Sequence, residues 1–163
     1  YIIIHPLSNT HPTWQEKNFV LLADNLNKIY NKKIIFTGSK NDTISNIQSC
    51  MKSLSLNLAG KTSIQEYFSL IKNAYLVICI DTSAQHIAAA LKVPVVSIFS
   101  AGDKRIWHPY SNNSIAIQNS DVCIACMKSK CSLKDKHYLE CVNSISVNYI
   151  LEQVKKLLPV SNN

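Results

Sequence analysis

Short runs of apolar residues alternate with amphipathic segments along most of this chain. We interpret the apolar runs as strands, and they cover residues 1–5, 33–37, 54–58, 75–80, 93–99 and 114–118. Segments with apolar residues three or four positions apart indicate helices over residues 15–30, 43–53, 84–91 and 146–158, with another that begins at residue 63. The pattern predicts an α/β fold, a parallel sheet with helices on both faces, because the strand runs are continuously apolar.

Small and polar residues follow the predicted strands. Ser8 and Asn9 follow the first, Gly38 and Ser39 the second, Gly60 the third, Asp81 to Ser83 the fourth, and Gly102 the fifth. The three glycines of the chain all lie in these loops, which indicates tight turns or a close approach to a ligand. In an open parallel sheet, ligands bind outside the carboxyl ends of the strands. We therefore expect the binding site at this rim.

The loop after the fourth predicted strand has a composition suited to a sugar nucleotide. Thr82 and Ser83 begin a helix, where backbone N–H groups and the helix dipole favour an anion. The small side chains of Ser83 and Ala84 would let a phosphate come close, while Asp81 could accept hydrogen bonds from sugar hydroxyls. The alternative is that one of these residues only caps the helix.

Two further positions are candidates on the helices. His86 lies in the first turns of the helix after Asp81, either as an ordinary packed or surface residue or as a donor or cation near phosphates. Ser63 and Glu66 have the spacing of a capping box and mark the start of the preceding helix.

The chain contains six cysteines, and four of them are clustered. Cys123, Cys126, Cys131 and Cys141 form a C-x2-C-x4-C-x9-C pattern within a Cys-rich insertion at 121–142. Four thiolates suit tetrahedral zinc, with iron as the less favoured occupant, and would leave no coordination position open, so the role would be structural. Free thiols and a disulfide pair are the alternatives. Cys50 and Cys79 lie in apolar settings, and we predict that both are inert core thiols.

Composition narrows the class of protein only slightly. The length of 163 residues fits a single domain, residues 1–163, and 47% hydrophobic residues argue against disorder. The formal charge of +7 favours an anionic partner, although Lys and Asn are scattered throughout. The first residues lack signal-peptide features, and no apolar run approaches the ~20 residues of a membrane span, so we expect a cytoplasmic protein.

The run from Asn57 to Tyr110 resembles the carboxyl-terminal half of the family 9 glycosyltransferases, the lipopolysaccharide heptosyltransferases. The resemblance lies in LAGKTS, DTSAQHIAAA, PVVSIF and WHPY, and in the opening HPLSN with Trp14. Three positions depart from the family pattern. Ser83 and Ser100 stand where the family has glycine, and Pro12 stands where a basic residue is usual.

The resemblance implies that the parallel sheet is Rossmann-like and forms one half of a GT-B glycosyltransferase, the half that binds the nucleotide-sugar donor, typically ADP-heptose. It implies that Ser8 and Asn9 contact the diphosphate, and that Thr82, Ser83 and Ala84 present N–H groups to phosphate, with His86 nearby. It also implies that Asp81 accepts hydrogen bonds from the hydroxyls of the donor sugar and that Gln65 contacts the ribose. We add Gly38 and Ser39 to this predicted donor-binding set. Lys40, Lys61, Lys104 or Arg105 would have to replace the missing basic residue.

The implied reaction is an inverting transfer of heptose to a lipopolysaccharide core acceptor. The catalytic base would belong to the amino-terminal half, so we expect this chain alone to bind donor without turnover and to need no catalytic metal. The lipid-linked saccharide acceptor would bind through the other half, with peripheral contact to the inner face of the inner membrane and no nucleic acid. Alternatives are a zinc-stapled nucleic-acid-binding module, another GT-B-type enzyme such as an epimerase, and a non-catalytic descendant.

Overall fold

The computed structural model describes residues 1–8, 12–119, 123 and 125–159, and its centre is a six-stranded parallel sheet. The strands are β1 Ile2–His5, β2 Ile34–Phe36, β3 Ser55–Asn57, β4 Leu76–Ile80, β5 Val95–Ile98 and β6 Ser114–Ile117. They lie in the order β3-β2-β1-β4-β5-β6. The predicted parallel α/β sheet is confirmed, with all six predicted strands present.

Seven α-helices and one 3-10 helix lie in the described residues. They are α1 Glu16–Tyr30, α2 Ser45–Ser49, α3 Ile64–Lys72, α4 Ser83–Ala90, α5 Lys104–Trp107, α6 Glu140–Asn143, α7 Val147–Leu157 and the 3-10 turn Asp135–His137. The second helix is shorter than predicted. The single turns α5, α6 and 135–137 were not predicted because an element of three or four residues is too short to show a hydrophobic period.

Helices cover both faces of the sheet, as predicted for continuously apolar strands. Ile2 and Ile4 belong to the larger apolar cluster, together with residues of α1, α2 and α7, whereas Ile3 belongs to a second cluster with residues of α3 and α4. This division follows from the alternation of side chains along a strand. The indole of Trp14 is buried and donates to the carbonyl of Ile145 at 3.0 Å, which joins the start of α1 to the start of α7.

Burial departs from the sequence prediction at two places. Leu54 and Leu56 are 94% and 52% exposed because β3 is an edge strand. The prediction of a core thiol is confirmed for Cys79 and wrong for Cys50, which is exposed. Cys50 directly follows α2, whose buried residue is Ile47, so the thiol lies at the outer end of a single helical turn. Among the described residues, no helix has the length and apolar character needed to cross a membrane.

Candidate functional site

The strand order reverses between β1 and β4, and this reversal locates the candidate site. From β1 the chain continues to β2 and β3 on one side, whereas β4, β5 and β6 lie on the other. Loops that leave two neighbouring strands in opposite directions open a crevice at the carboxyl ends, where doubly wound proteins bind ligands. His5 is in register with Cys79, so the loops that carry Ser8 and Asp81 leave adjacent strands at the same rim. Asn9 lies outside the described residues.

The start of α4 lies at this rim, directly after β4. Thr82 occupies the N-cap position, but no side chain caps the helix within the described residues. Instead, the Thr82 hydroxyl donates to the carbonyl of Ile80 at 3.2 Å. Backbone N–H groups in a first helical turn point out of the helix start, so those of Ser83 and Ala84 are directed toward the rim. The Thr82 hydroxyl therefore does not cap α4, and anion binding at these N–H groups stays a prediction.

Asp81 is held at the mouth of this helix start. Its carboxylate is half-buried, and its Oδ1 accepts a hydrogen bond of 2.8 Å from Nε2 of Gln85. On the other side it lies against Gly102, where an added Cβ would be 2.0 Å from Oδ2 of Asp81. The glycine after β5 is therefore needed because the Asp81 carboxylate occupies the space that a side chain would fill.

A polar cluster beneath the rim fixes the start of α3. Nδ1 of His5 lies 3.0 Å from the Thr37 hydroxyl and 3.2 Å from the Tyr67 hydroxyl. Burial lowers the pKa of His5 to about 4, while the charge of Asp42 acts in the opposite direction. Burial also raises the pKa of Tyr67 to about 12. At neutral pH the cluster is therefore an uncharged hydrogen-bonded group that joins α3 to β1 and β2.

The loops after β2 and β3 pack against each other. Ser39 donates to Asp42 from both its amide and its hydroxyl, each at 2.7 Å. Gly60 has a φ of +65°, and a Cβ there would lie 2.4 Å from Cα of Lys40. Gly38 is similarly close to the Asp42 carboxylate. In this structure, the Ser39 hydroxyl and the two glycines thus hold the rim together.

The remaining predicted residues are Gln65, His86 and the four cations proposed to replace the missing basic residue. Gln65 is exposed in the first turn of α3, and His86 is exposed on α4. Of the cations proposed to replace the missing basic residue, Arg105 pairs with Asp103 at 2.6 Å, and the amine of Lys61 donates to the carbonyl of Asn57 at 3.0 Å. Lys40 is exposed and Lys104 is half-buried.

Sequence reasoning missed Gln85, which donates a hydrogen bond to Asp81. Thr82 and Gln85 have the spacing of a capping box, the same signal that correctly predicted Ser63 and Glu66. The signal marks a polar side chain one turn into the helix. It could have drawn attention to Gln85, although it would have assigned the wrong partner.

The four clustered cysteines line one small cavity of about 20 Å³, together with Pro12 and Ala101. Desolvation, followed by the neighbouring thiols, raises the pKa of Cys123 and of Cys141. Within the described parts of the chain, no three His, Cys, Asp or Glu side chains are arranged to hold a metal ion. The thiols are therefore grouped, but their sulfur atoms are not in coordination geometry.

A larger concavity, of about 960 Å³, lies away from the candidate site. Its lining runs from Ala89 and Lys92 to the segment 108–114, which approaches the amino ends of β5 and β6. It shares no lining residue with the predicted donor-binding set. We therefore assign the site from the strand order and the helix start, not from the volume of a cavity.

Comparison with known proteins gives a consistent result. The family model described as glycosyltransferase family 9 (heptosyltransferase) matches residues 1–137. Lipopolysaccharide heptosyltransferase 3 of Escherichia coli is 29% identical over 99% of this chain and 48% of its own length. The chain thus spans about half the length of the curated relatives that it matches along most of its length.

Solved structures support the fold. A family 9 glycosyl transferase from Veillonella parvula superimposes with a TM-score of 0.82 at 20% identity, over 98% of this chain and 46% of that one. TibC of enterotoxigenic E. coli, an iron-containing glycosyltransferase, gives a TM-score of 0.76 at 16% identity, over 96% and 46% of the two chains. TibC has also been solved in complex with ADP-D-β-D-heptose. At these identities the likeness concerns the fold alone.

Proposed function

The chain belongs to glycosyltransferase family 9, and from this premise we propose that it is the donor-binding half of an inverting heptosyltransferase. The donor would be ADP-heptose and the acceptor a lipopolysaccharide core saccharide. One observation carries the proposal: the loop after β1 and the uncapped start of α4, with Asp81 in front of it, lie on neighbouring strands where the sheet order reverses.

The start of α4 and the loop of Ser8 would hold the diphosphate. The first-turn N–H groups of Ser83 and Ala84 supply donors, and the dipole of the eight-residue helix adds a partial positive charge. Ser83 is the residue that departs from the family's glycine, and its side chain is exposed, so the departure leaves the backbone available. We expect Asn9 to contribute to the same contact.

The Asp81 carboxylate would bind the hydroxyl groups of the donor sugar. A carboxylate beside phosphate would repel it, but ionised oxygens accept strong hydrogen bonds from hydroxyl groups. Asp81 stands immediately before the helix start, so a sugar attached to a phosphate at Ser83 would lie within its reach. Gln65, on the first turn of α3, would contact the ribose, and His86 would lie near the phosphates.

In the proposed reaction, an acceptor hydroxyl attacks the anomeric carbon from the face opposite the diphosphate. The bond between that carbon and the diphosphate oxygen breaks, and its electron pair passes to the leaving diphosphate. The N–H groups at the start of α4 would stabilise this growing charge, since preorganised donors act most strongly where charge develops. The acceptor proton would pass to a base outside this chain. The chain alone would therefore bind donor without turnover, and we propose a cytoplasmic location at the inner face of the inner membrane.

A calorimetric titration with ADP, UDP, GDP and ADP-heptose tests this proposal. We expect ADP-heptose to bind more tightly than ADP, and Asp81→Asn to remove roughly tenfold of that advantage because a charge-assisted hydrogen bond is lost. Affinity for ADP itself should change by less than about twofold, since Asp81 is assigned to the sugar. Glu152→Gln, on the exposed side of α7, removes the same charge outside the predicted donor-binding set and serves as control. Failure of the chain to bind any of these nucleotides would show that the proposed function is wrong.

We also propose that Cys123, Cys126, Cys131 and Cys141 hold a structural metal, zinc in preference to iron. The support is that all four thiols line one cavity and that four thiolates form a closed tetrahedral donor set. The described thiols would have to turn toward a common centre, because they are not arranged as ligands in this structure. TibC is iron-containing, which makes iron the alternative occupant.

Elemental analysis of protein purified without chelator tests the metal proposal. We expect about one metal ion per chain, and its loss in Cys126→Ser with a lower melting temperature. Cys50→Ser replaces an exposed thiol outside the cluster and should retain the metal. Unmodified protein that contains no metal, with its thiols free or paired as disulfides, would contradict the proposal.

A further inference from the structure

We propose that Gln85 is a positioning residue that fixes the Asp81 carboxylate and thereby sets the carbohydrate selectivity of the donor site. The inference rests on the proposed function, because it concerns how the same site distinguishes a sugar nucleotide from the bare nucleotide. It assigns a role to a buried residue that makes no contact with the ligand in this scheme.

The capping-box spacing occurs at the starts of both α3 and α4, but the bonds form only at α3. In α3 both bonds of the box are formed: the Ser63 hydroxyl accepts from the amide of Glu66, and the Glu66 carboxylate accepts from the amide of Ser63. Thr82 and Gln85 have the same spacing at α4, yet neither bond forms there. The amide of Gln85 donates to the Thr82 carbonyl, and its side chain turns to Asp81. The Gln85 side chain is therefore used for the site and not for the helix.

Burial of the polar Gln85 side chain is energetically unfavourable unless its amide has a specific use. Gln85 is fully buried, and its Oε1 has no hydrogen-bond partner among the described residues. A buried polar atom without a partner is unfavourable, and an apolar side chain of similar size would avoid that loss. Turning the amide over would place Oε1 against the Asp81 carboxylate, so the orientation with Nε2 toward Asp81 is the favourable one. What the amide contributes is therefore its bond to Asp81.

The Asp81 carboxylate is also confined on the side opposite Gln85, by Gly102. Oδ2 of Asp81 occupies the space above Gly102, while Oδ1 is held by Gln85 at 2.8 Å. An ionised carboxylate has about four acceptor positions, and the bond from Gln85 takes one of them on Oδ1. The geometry thus presents a carboxylate of fixed orientation, which can favour one arrangement of sugar hydroxyls over another.

Two substitutions test the inference, with the ratio of ADP to ADP-heptose dissociation constants as the readout. Gln85→Met keeps the size and removes the donor, and we expect the ratio to fall by roughly tenfold while ADP affinity stays within about twofold. Gln85→Glu places a second carboxyl beside Asp81. At pH 8 repulsion between the two charges should abolish the preference for ADP-heptose. Near pH 5 the pair should share a proton that restores a hydrogen bond and the preference. Gln153→Met makes the same exchange at a half-buried position of α7, outside the predicted donor-binding set, and is the control.

The outcomes separate this inference from the proposed function. If Gln85→Met binds ADP normally and keeps the full preference for ADP-heptose, the positioning role is wrong and the donor site stands. If Gln85→Met does not fold, the Gln85→Glu variant decides: a preference that is equal at pH 5 and pH 8 overturns the inference. If the unmodified chain binds neither ADP nor ADP-heptose, the proposed function fails first.

Discussion

The starts of α3 and α4 lie at the same rim of the sheet and carry the same pattern, a hydroxyl residue followed three positions later by Glu or Gln, yet they do different things. At α3 the Ser63 and Glu66 side chains close the helix start on itself. At α4 the Thr82 and Gln85 side chains turn away, to Ile80 and Asp81, and leave the helix start open. A helix end whose amides are already capped contributes stability, whereas an end with available amides can bind an anion. At this rim, the start of α3 therefore serves stability, whereas the start of α4 is available for ligand binding.

The α3 start is also the better anchored of the two. Tyr67, in its first turns, contacts His5 at the end of β1, and His5 contacts Thr37 after β2. The Ser63 bonds lower the pKa of Glu66, so the box is formed with an ionised carboxylate at neutral pH. Among the described residues, the Thr82 side chain at the start of α4 bonds to the sheet only locally, through its hydroxyl and the carbonyl of Ile80 two residues earlier. We therefore expect perturbations at α3 to appear in stability and those at α4 to appear in ligand affinity.

The largest expected effect is acid destabilisation through His5. Its pKa is about 4 in the folded chain against an ordinary value of 6.5, so the unfolded chain binds the proton more readily. The contribution is complete above pH 6.5 and is lost as the pH falls toward 4, by up to about 3 kcal/mol of unfolding free energy. Denaturant unfolding between pH 7 and pH 4 would measure it.

His5→Asn is the reference variant for this effect, since its amide can keep a polar group near the Nδ1 position without a titrating imidazole. We expect a weaker pH dependence in the variant between pH 6.5 and 5, a range above the ordinary pKa of the carboxylates. Equal slopes for the two proteins in that range would mean that His5 is not buried in its neutral form. The start of α3 would then not be anchored to β1 and β2 through a buried His5.

Local patterns in the sequence predicted the fold and one helix start, but not the details of the other. The alternation of strands and helices predicted the parallel sheet, and Ser63 with Glu66 predicted a cap, because both depend on neighbours within a few residues. The order of the strands depends on contacts between distant segments, so the sequence placed the site at a rim without showing that β1 and β4 bracket it. Gln85 was missed for the same reason, since its use depends on an Asp81 carboxylate confined by Gly102, 21 residues further along the chain.

The smallest effect, and the most direct test of the comparison, is a matched pair of cap substitutions. We expect Ser63→Ala to lower the free energy of unfolding by about 1 kcal/mol, since an N-cap side chain and its capping box are lost. Thr82→Val keeps a β-branched residue in the extended N-cap conformation and should lower it by no more than about 0.5 kcal/mol, because the Thr82 hydroxyl does not cap its helix. Urea unfolding at neutral pH would measure both, with ADP titration of each variant alongside.

If the difference between the two starts is real, Ser63→Ala should leave ADP affinity unchanged while it destabilises the chain. Thr82→Val should leave both nearly unchanged, since the substitution retains the backbone N–H groups of residues 82–84 that would bind phosphate. A loss of about 1 kcal/mol in Thr82→Val would mean that its hydroxyl caps α4 in solution. Phosphate would then have to compete with an internal cap for the same amides, and the open helix start on which the donor site is argued would not exist.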